Sequence, residues 1–196
     1  MMISAIIMAS GFSKRMKKNK LFLEYKGKTL IQRTIDTVLE CDFSQIILVA
    51  RENKILELGE KSGLITVENK NAHLGISESI KLGLSYTDKC DGYIFFTVDQ
   101  PLVNETIIKS LLHLFDESKK HIIVPKYKGI KGSPVIFPEK FKKDLMKLEG
   151  DIGGKVIIRK NFEQVRFLEI EDERIIFDID TKEDYEKILD WDGQHI

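Results

Sequence analysis

The sequence is poor in cysteine and contains no cysteine motif. Cys41 and Cys90 are the only two cysteines among 196 residues, and they do not form a CxxC pair. Zinc and redox centres are built from clustered cysteine and histidine residues, so neither kind of centre is indicated. A chain of this length can bury a core without disulfides. We therefore expect a cytoplasmic protein.

Long apolar runs and an excess of one charge are also missing. The apolar run at residues 3–8 is far too short to span a bilayer, and it lacks the charged start and cleavage site of a signal peptide. Formal net charge is +0 at pH 7, so bulk electrostatics favour neither nucleic acid nor an anionic membrane. We expect no nucleic acid and no membrane among the partners.

The chain has no internal repeat and no linker rich in proline or serine. We therefore expect one domain over residues 1–190, followed by a short tail at 191–196. Short runs rich in Ile, Val and Phe alternate with stretches of helical period, which predicts a three-layer α/β/α Rossmann-like fold around a mainly parallel mixed sheet. The predicted strands cover 4–8, 45–49, 64–67, 92–97, 121–125, 134–137 and 165–169. The predicted helices cover 29–39, 53–61, 77–86, 105–117, 139–148, 153–160 and 182–189.

Several familiar nucleotide and catalytic motifs are absent. Gly27-Lys28-Thr29 resembles the end of a Walker A loop, but Phe22 stands where the earlier glycine belongs. Gly11 has no second glycine two residues away, so the dinucleotide fingerprint is missing and neither NAD nor FAD is predicted. The four histidines have no serine or cysteine nucleophile motif beside them, so none of them is a catalytic candidate.

The segment after the first predicted strand has the composition of a phosphate-binding loop. Ala9, Ser10 and Gly11 are small, so main-chain N–H groups can approach an anion there. Cationic side chains follow, from Lys14 to Lys20. The spacing alone is equally compatible with an ordinary strand-to-helix loop that carries surface lysines.

Carboxylates follow two other apolar runs. Asp99 stands after the predicted strand 92–97, at the edge where ligands of open α/β sheets bind, and a carboxylate there suits Mg²⁺. Alternation places Asp178 and Asp180 on one side of an extended segment, so Asp180 is a candidate second metal ligand. Two structural alternatives stay open, because Asp99 could cap the helix expected near Glu105 and Asp180 could be only a helix-start residue.

Two further segments bear on the site and on the last helix. Glycines surround Asp151 in the segment 150–154, which allows close backbone approach to a ligand, although a turn between two helices is also possible. Thr181 and Asp184 form a T-x-x-D capping box, which predicts the start of the last helix.

Taken together, these motifs resemble the molybdenum cofactor cytidylyltransferase family, within the MobA-like NTP transferase superfamily. The family pattern L-A-A-G-x-S-x-R-M-G-x-x-K corresponds to residues 8–20. Its later motifs N-P with G-x-S-x-S, D-Q-P-x-V, G-H-P-V-x-F, G-D-x-G and D-I-D-T-P-E-D correspond to segments beginning at Asn69, Gly75, Asp99, Gly132, Gly150 and Asp178. The resemblance runs from residue 3 to about residue 189 and implies a nucleotidyltransferase fold of the GT-A-like kind.

The resemblance also implies roles for individual residues. Arg15, Lys20 and Asp99 would be catalytic, Asp99 and Asp180 would hold Mg²⁺, and the acceptor would lie near Gly132, Ser133, Pro134 and Asp151. The implied nucleotide-binding residues are Ala9, Ser10, Gly11, Ser13, Arg15, Lys20, Asn69, Gly75, Ser79 and Asp99. The implied reaction moves CMP from CTP to the phosphate of molybdopterin and releases pyrophosphate, with a recipient molybdoenzyme as a possible partner.

Some positions depart from the family pattern. Lys17, Lys70 and Lys182 replace a glycine, a proline and a proline, and Ser133 replaces a histidine on the acceptor side. Ser10 stands where the cytidylyl enzymes have alanine and the guanylyl enzymes have glycine. A side chain there should crowd a purine, which favours CTP.

Other functions stay open at this point. The same loop and metal would serve a guanylyltransferase or a sugar-phosphate nucleotidyltransferase. The D-x-D of residues 178–180 is also found in metal-dependent glycosyltransferases, although these do not need a phosphate loop. A nucleotide-binding cofactor carrier without turnover is the alternative from a different class.

Overall fold

The computed structural model of the chain describes residues 1–13, 16 and 19–193. Its strands are β1 (Ile3–Ala9), β2 (Glu24–Tyr25), β3 (Lys28–Thr29), β4 (Gln45–Ala50), β5 (Ile65–Glu68), β6 (Gly92–Thr97), β7 (Ile122–Tyr127), β8 (Ile130–Lys131), β9 (Val135–Pro138) and β10 (Val165–Glu169). Its α-helices are α1 (Leu30–Leu39), α2 (Asn53–Lys61), α3 (Ile76–Ser85), α4 (Glu105–Glu117), α5 (Lys142–Leu145), α6 (Lys155–Lys160) and α7 (Lys182–Gly193). Short 3₁₀ turns include Lys20–Phe22, Ala72–Leu74 and Glu173–Ile176.

One mixed sheet organises the fold. Its strand order is β10-β7-β9-β6-β1-β4-β5, with β8 paired to β7. β4, β1 and β6 are parallel, whereas β9 runs antiparallel between β6 and β7. The chain leaves β1 towards β4 on one side and returns to β6 on the other. The carboxyl end of β1 is therefore a topological switch point, where open α/β sheets bind their ligands.

The two faces of the sheet bury separate groups of apolar side chains. On β1, Ile3, Ala5 and Ile7 pack in the cluster that contains α1 and α4. Ile6 points to the opposite face and packs in the cluster that contains Ile80 of α3. Successive residues of a strand point to opposite faces, so one apolar strand can serve both layers. The predicted α/β fold, with a mainly parallel mixed sheet and helices on both sides, is confirmed.

The segment predicted as one helix at 139–148 is more broken in the structure. A 3₁₀ turn at Glu139–Phe141 leads into the short helix α5, and no side-chain hydrogen bond caps either element. Lys140, Lys143 and Lys147 recur at helical spacing, and like charges at that spacing destabilise a helix. At the other end of the chain, α7 continues to Gly193, beyond the predicted residue 189. Among the described residues, no helix is long and apolar enough to cross a bilayer.

Asn104 caps α4, and this contact gives a prediction for stability. Its side-chain oxygen accepts a hydrogen bond from the Ile107 N–H at 3.0 Å. We expect Asn104→Ala to lower the free energy of unfolding by about 1 kcal/mol, measured by urea denaturation. Asn53→Ala is the matched control, because Asn53 begins α2 but does not cap it. Equal losses in the two variants would contradict the capping role.

Candidate active site

A cavity of about 550 Å³ opens at the carboxyl ends of β1 and β6. It therefore lies at the topological switch point of the sheet. The loop after β1, the turn before α3, the end of β6 and two separate aspartates form its walls. Its lining residues include Met8, Ser10, Gly11, Phe12, Ser13, Lys20, Leu21, Ala72, His73, Gly75, Ile76, Ser79, Thr97, Val98, Asp99, Asp151 and Asp180.

Lys20 lies at the centre of the charged groups in this cavity. Its Nζ atom is 2.8 Å from Asp99 Oδ2 and 3.2 Å from Asp180 Oδ1. It also donates a hydrogen bond to the Ile179 carbonyl oxygen at 3.1 Å. Burial alone would lower the pKa of Lys20, but the two carboxylates outweigh it and hold the pKa above its ordinary value. Lys20 is therefore a firmly charged ammonium group.

The main chain of Lys20 is fixed by two neighbouring side chains. The Lys20 N–H donates to Ser13 Oγ at 3.0 Å, and Asn19 caps the 3₁₀ turn by accepting a hydrogen bond from the Leu21 N–H. These bonds close the loop that follows β1. The predicted catalytic residue Arg15 lies outside the described residues, as do Lys14, Lys17 and Lys18.

Asp99 and Asp180 are held side by side by the main chain. The Ile179 N–H donates to the Asp99 carbonyl oxygen at 2.9 Å, which ties the segment after β6 to the segment before α7. Asn104 caps α4, so Asp99 is not its cap. The predicted capping box at the start of α7 is confirmed, because Thr181 and Asp184 bond each other's main-chain N–H groups. The Asp180 carboxylate faces Lys20 instead.

The electrostatics of these carboxylates fit a divalent cation. Asp99 Oδ1 is buried and has no hydrogen-bond partner among the described residues, so it is a charged acceptor that a ligand could use. Partial removal from water, together with the negative charges of Asp99 and Asp180, raises the pKa of Asp178 to about 6. The described part of the chain holds no cluster of three or more His, Cys, Asp or Glu side chains suited to a metal. Mg²⁺ is commonly held by only one or two carboxylates, with phosphates and water as its other ligands. Asp99 and Asp180 could supply those two carboxylates.

The predicted nucleotide contacts fall into two groups. Ser10, Gly11, Ser13, Gly75 and Ser79 line the cavity. Ala9 and Asn69 do not line it, because both are buried behind its wall. Asn69 donates a hydrogen bond to Ser79 Oγ at 3.0 Å, so it fixes the orientation of a side chain that does line the cavity.

Gly75 brings two distant segments of the chain together. Its φ of +113° is a conformation that side-chain-bearing residues rarely adopt, and a Cβ atom there would lie 2.2 Å from the main-chain carbon of Gly150. The neighbouring Ser77 N–H donates to the Gly150 carbonyl oxygen at 3.2 Å. This close approach places Asp151 on the wall of the cavity.

The other predicted acceptor residues lie away from the cavity wall. Gly132, Ser133 and Pro134 form the connection between β8 and β9 and are not among the lining residues. A side chain at Gly132 would clash with Ile176, in the 3₁₀ turn that precedes Asp178. The structure thus brings Asp151 to the cavity. Residues 132–134 do not line the cavity, and Gly132 lies against Ile176.

Sequence reasoning missed an aromatic contact at the cavity mouth. The Arg51 guanidinium lies over the Phe12 ring at 4.5 Å from its centroid, and it pairs with Glu52 at 2.8 Å. Glu52 also accepts a hydrogen bond from Asn19. The end of β4 therefore supports the loop after β1. The only sequence signal was an arginine two residues after the predicted strand 45–49.

Comparisons with known proteins identify the family of the chain. The chain matches the MobA-like NTP transferase domain over residues 5–165. It is 29% identical over 129 residues to a probable molybdenum cofactor guanylyltransferase of Natranaerobius thermophilus, an alignment that covers 65% of this chain and 62% of that protein. It is also 29% identical over 199 residues to the molybdenum cofactor cytidylyltransferase of Escherichia coli, covering 93% of each.

A solved nucleotidyl transferase has the same fold as the chain. A nucleotidyl transferase of Methanothermobacter thermautotroptrophicus shares 21% sequence identity with the chain and superimposes with a TM-score of 0.82, covering 100% of this chain and 99% of that one. The family match covers most of the chain and includes the loop after β1 and Asp99. The chain belongs to the MobA-like NTP transferase family and is a nucleotidyltransferase.

Proposed function

We propose that the protein transfers CMP from CTP to the phosphate of molybdopterin, or of its molybdenum-loaded form, and releases pyrophosphate. The observation that carries the proposal is the grouping of Lys20, Asp99 and Asp180 in one cavity beside the glycine-containing loop. A polyphosphate needs both a cation for its charge and carboxylates for its metal ion. The names of the cytidylyl and guanylyl relatives support a phosphorylated pterin as acceptor.

The reaction needs no general base. An oxygen of the acceptor phosphate attacks the α-phosphorus of CTP, the bond from that phosphorus to the bridging oxygen breaks, and the electron pair leaves with pyrophosphate. The attacking oxygen is already an anion, which fits a cavity whose chemistry comes from charge and positioning. Lys20 would neutralise the departing pyrophosphate, and the N–H groups of the loop after β1 would bind it.

Magnesium is the proposed metal. Asp99 and Asp180 would hold it, and the buried Asp99 Oδ1 is an acceptor that no other described residue uses. When bound, Mg²⁺ neutralises charge on the phosphates and orients them for displacement. The protein would position the acceptor phosphate and the α-phosphate of CTP relative to each other.

The preference for CTP over GTP rests on Ser10. Its hydroxyl donates a hydrogen bond to the Val49 carbonyl oxygen at 3.2 Å, and the residue is 5% exposed on the cavity wall. That bond fixes the side chain in the wall of the cavity. The space taken by its Cβ and Oγ atoms would be needed by the larger ring system of a purine.

We expect Ser10→Gly to change nucleotide selectivity. Removing the side chain should shift the ratio of kcat/KM values for CTP and GTP by about tenfold towards GTP. A small difference in pocket volume changes the relative binding free energy of two substrates in the transition state by about one to two kcal/mol. Ser10→Ala is the control, since it keeps the Cβ atom and should retain most of the preference for CTP. An unchanged ratio in Ser10→Gly would show that this position does not select the base.

The proposed reaction is tested by pyrophosphate release with molybdopterin, Mg²⁺ and each of the four NTPs. Release with CTP supports the proposal. Release only with GTP would favour a guanylyltransferase, as the name of the Natranaerobius relative indicates. A parallel assay replaces molybdopterin with a sugar phosphate, and release only in that assay would change the acceptor. Nucleotide binding without release in either assay would favour a carrier.

A further inference from the structure

The ammonium group of Lys20 has no donor left for a phosphate. It carries three N–H donors. Its three acceptors are Asp99 Oδ2, Asp180 Oδ1 and the Ile179 carbonyl oxygen, at 2.8, 3.2 and 3.1 Å. The lysine that would bind the pyrophosphate thus donates to the two carboxylates that would bind the metal and to one main-chain carbonyl oxygen. The role inferred below for Lys20 rests on the proposed function, in which Asp99 and Asp180 hold a metal ion.

The ammonium group and a metal ion cannot share this position. A divalent cation bound by Asp99 and Asp180 would be adjacent to the Lys20 charge, and the two positive charges repel. The side chains of Lys20 and Asp99 are only 14% and 21% exposed, so water screens this repulsion less than at an open surface. A metal ion therefore binds weakly to Asp99 and Asp180 unless the Lys20 side chain moves away from them.

The side chain can move without disturbing the loop. The main chain at Lys20 is held by Ser13 and capped by Asn19, independently of where the ammonium group lies. Four methylene groups separate the fixed main chain from the charge. A triphosphate in the same cavity would offer new acceptors to the ammonium group.

We propose that Lys20 acts as an internal cation, which occupies the space between Asp99 and Asp180 until a nucleotide arrives. The phosphates then accept the hydrogen bonds of the ammonium group, and its charge no longer opposes a metal ion at Asp99 and Asp180. The free protein binds a divalent cation weakly, and metal and nucleotide bind with positive coupling. Lys20 is a positioning residue in this step as well as a phosphate-binding residue in the reaction.

Binding of Mn²⁺ to the nucleotide-free protein tests this proposal without any measurement of activity. Free Mn²⁺ is quantified by electron paramagnetic resonance for the wild type and for Lys20→Met, which keeps the length of the side chain and removes its charge. We expect Lys20→Met to bind Mn²⁺ about tenfold more tightly, or better. Equal or weaker binding would overturn the proposal, because a lysine that serves only phosphates should not oppose the metal.

Three further variants make the result specific. Lys20→Arg keeps the charge and should bind Mn²⁺ as weakly as the wild type, so a gain equal to that of Lys20→Met would count against the proposal. Lys54→Met removes an exposed lysine of α2 and should leave Mn²⁺ binding unchanged. Adding Asp99→Asn to Lys20→Met should abolish the gain, and a gain that persists would place the ion elsewhere and contradict the proposal.

Folding of each variant is checked by circular dichroism, and Lys20→Gln replaces Lys20→Met if the latter does not fold. All titrations are made without CTP, because a triphosphate binds Mn²⁺ in solution whether or not the protein is present. The nucleotide-free comparison is independent of catalysis. A failure of pyrophosphate release would therefore reject the proposed function, whereas the Mn²⁺ titration alone decides the role of Lys20.

Discussion

Asp99→Asn is expected to lower kcat/KM for pyrophosphate release by about 100- to 1,000-fold, the range seen when one electrostatic partner of a transition state is lost. Asp99 makes the shortest contact with Lys20, and its other oxygen is buried with no partner in the part of the chain that the structure describes. An amide keeps the shape of the side chain and removes the negative charge. The variant should therefore lose metal-assisted chemistry while the fold is retained.

The matched control for this variant is Asp144→Asn, which makes the same chemical change at an exposed position on α5. Its activity should equal that of the wild type. Both variants should show the circular dichroism spectrum of the wild type. A loss of less than about threefold in Asp99→Asn would show that the cavity at the end of β6 is not the catalytic one.

Gly75→Ala is expected to have the largest effect on stability, a loss of about 3 kcal/mol or more in the free energy of unfolding. Two costs combine at this position. The main chain has a φ of +113°, which a side chain strains, and the added methyl group would meet the main chain of Gly150 at 2.2 Å. The backbone of Gly150 cannot yield as a flexible side chain would, so the contact between α3 and Asp151 should open.

Gly129→Ala separates the two costs. Gly129 also has a positive φ, of +90°, but nothing lies within 4 Å of the added atom. We expect this control to lose only about 1–2 kcal/mol, the cost of strain alone. Urea denaturation measures both variants. Similar losses in the two would show that the approach of residue 150 to Gly75 does not limit stability.

Local patterns in the sequence predicted the long strands and the start of the last helix. The apolar runs that became β1 and β6 are buried on both faces, and such runs are typical of strands inside a parallel sheet. The capping box of Thr181 and Asp184 was recognisable because its two residues are three apart. The two-residue strands β2, β3 and β8 were not predicted, since so short a strand has no pattern and exists only through its partner.

The arrangement inside the cavity depends on contacts between distant parts of the chain. Lys20 meets Asp99 and Asp180 across 79 and 160 residues of sequence. The motifs predicted that these residues share a site, but the motifs carry no information about which atoms meet. The close approach of Gly75 and Gly150 is similar, because each glycine alone resembles an ordinary turn residue. The three hydrogen bonds of the Lys20 ammonium group, to Asp99, Asp180 and the Ile179 carbonyl oxygen, therefore became visible only in the structure.

The central claim is that this cavity joins a nucleoside monophosphate to a phosphorylated pterin. Its most direct test is mass spectrometry of the product formed from molybdopterin, Mg²⁺ and an equal mixture of the four NTPs. We predict a product whose mass is that of molybdopterin joined to CMP through a new pyrophosphate bond, and we predict its absence with Asp99→Asn. A GMP adduct as the main product would contradict the assignment of the base, and unchanged molybdopterin would contradict the assignment of the acceptor.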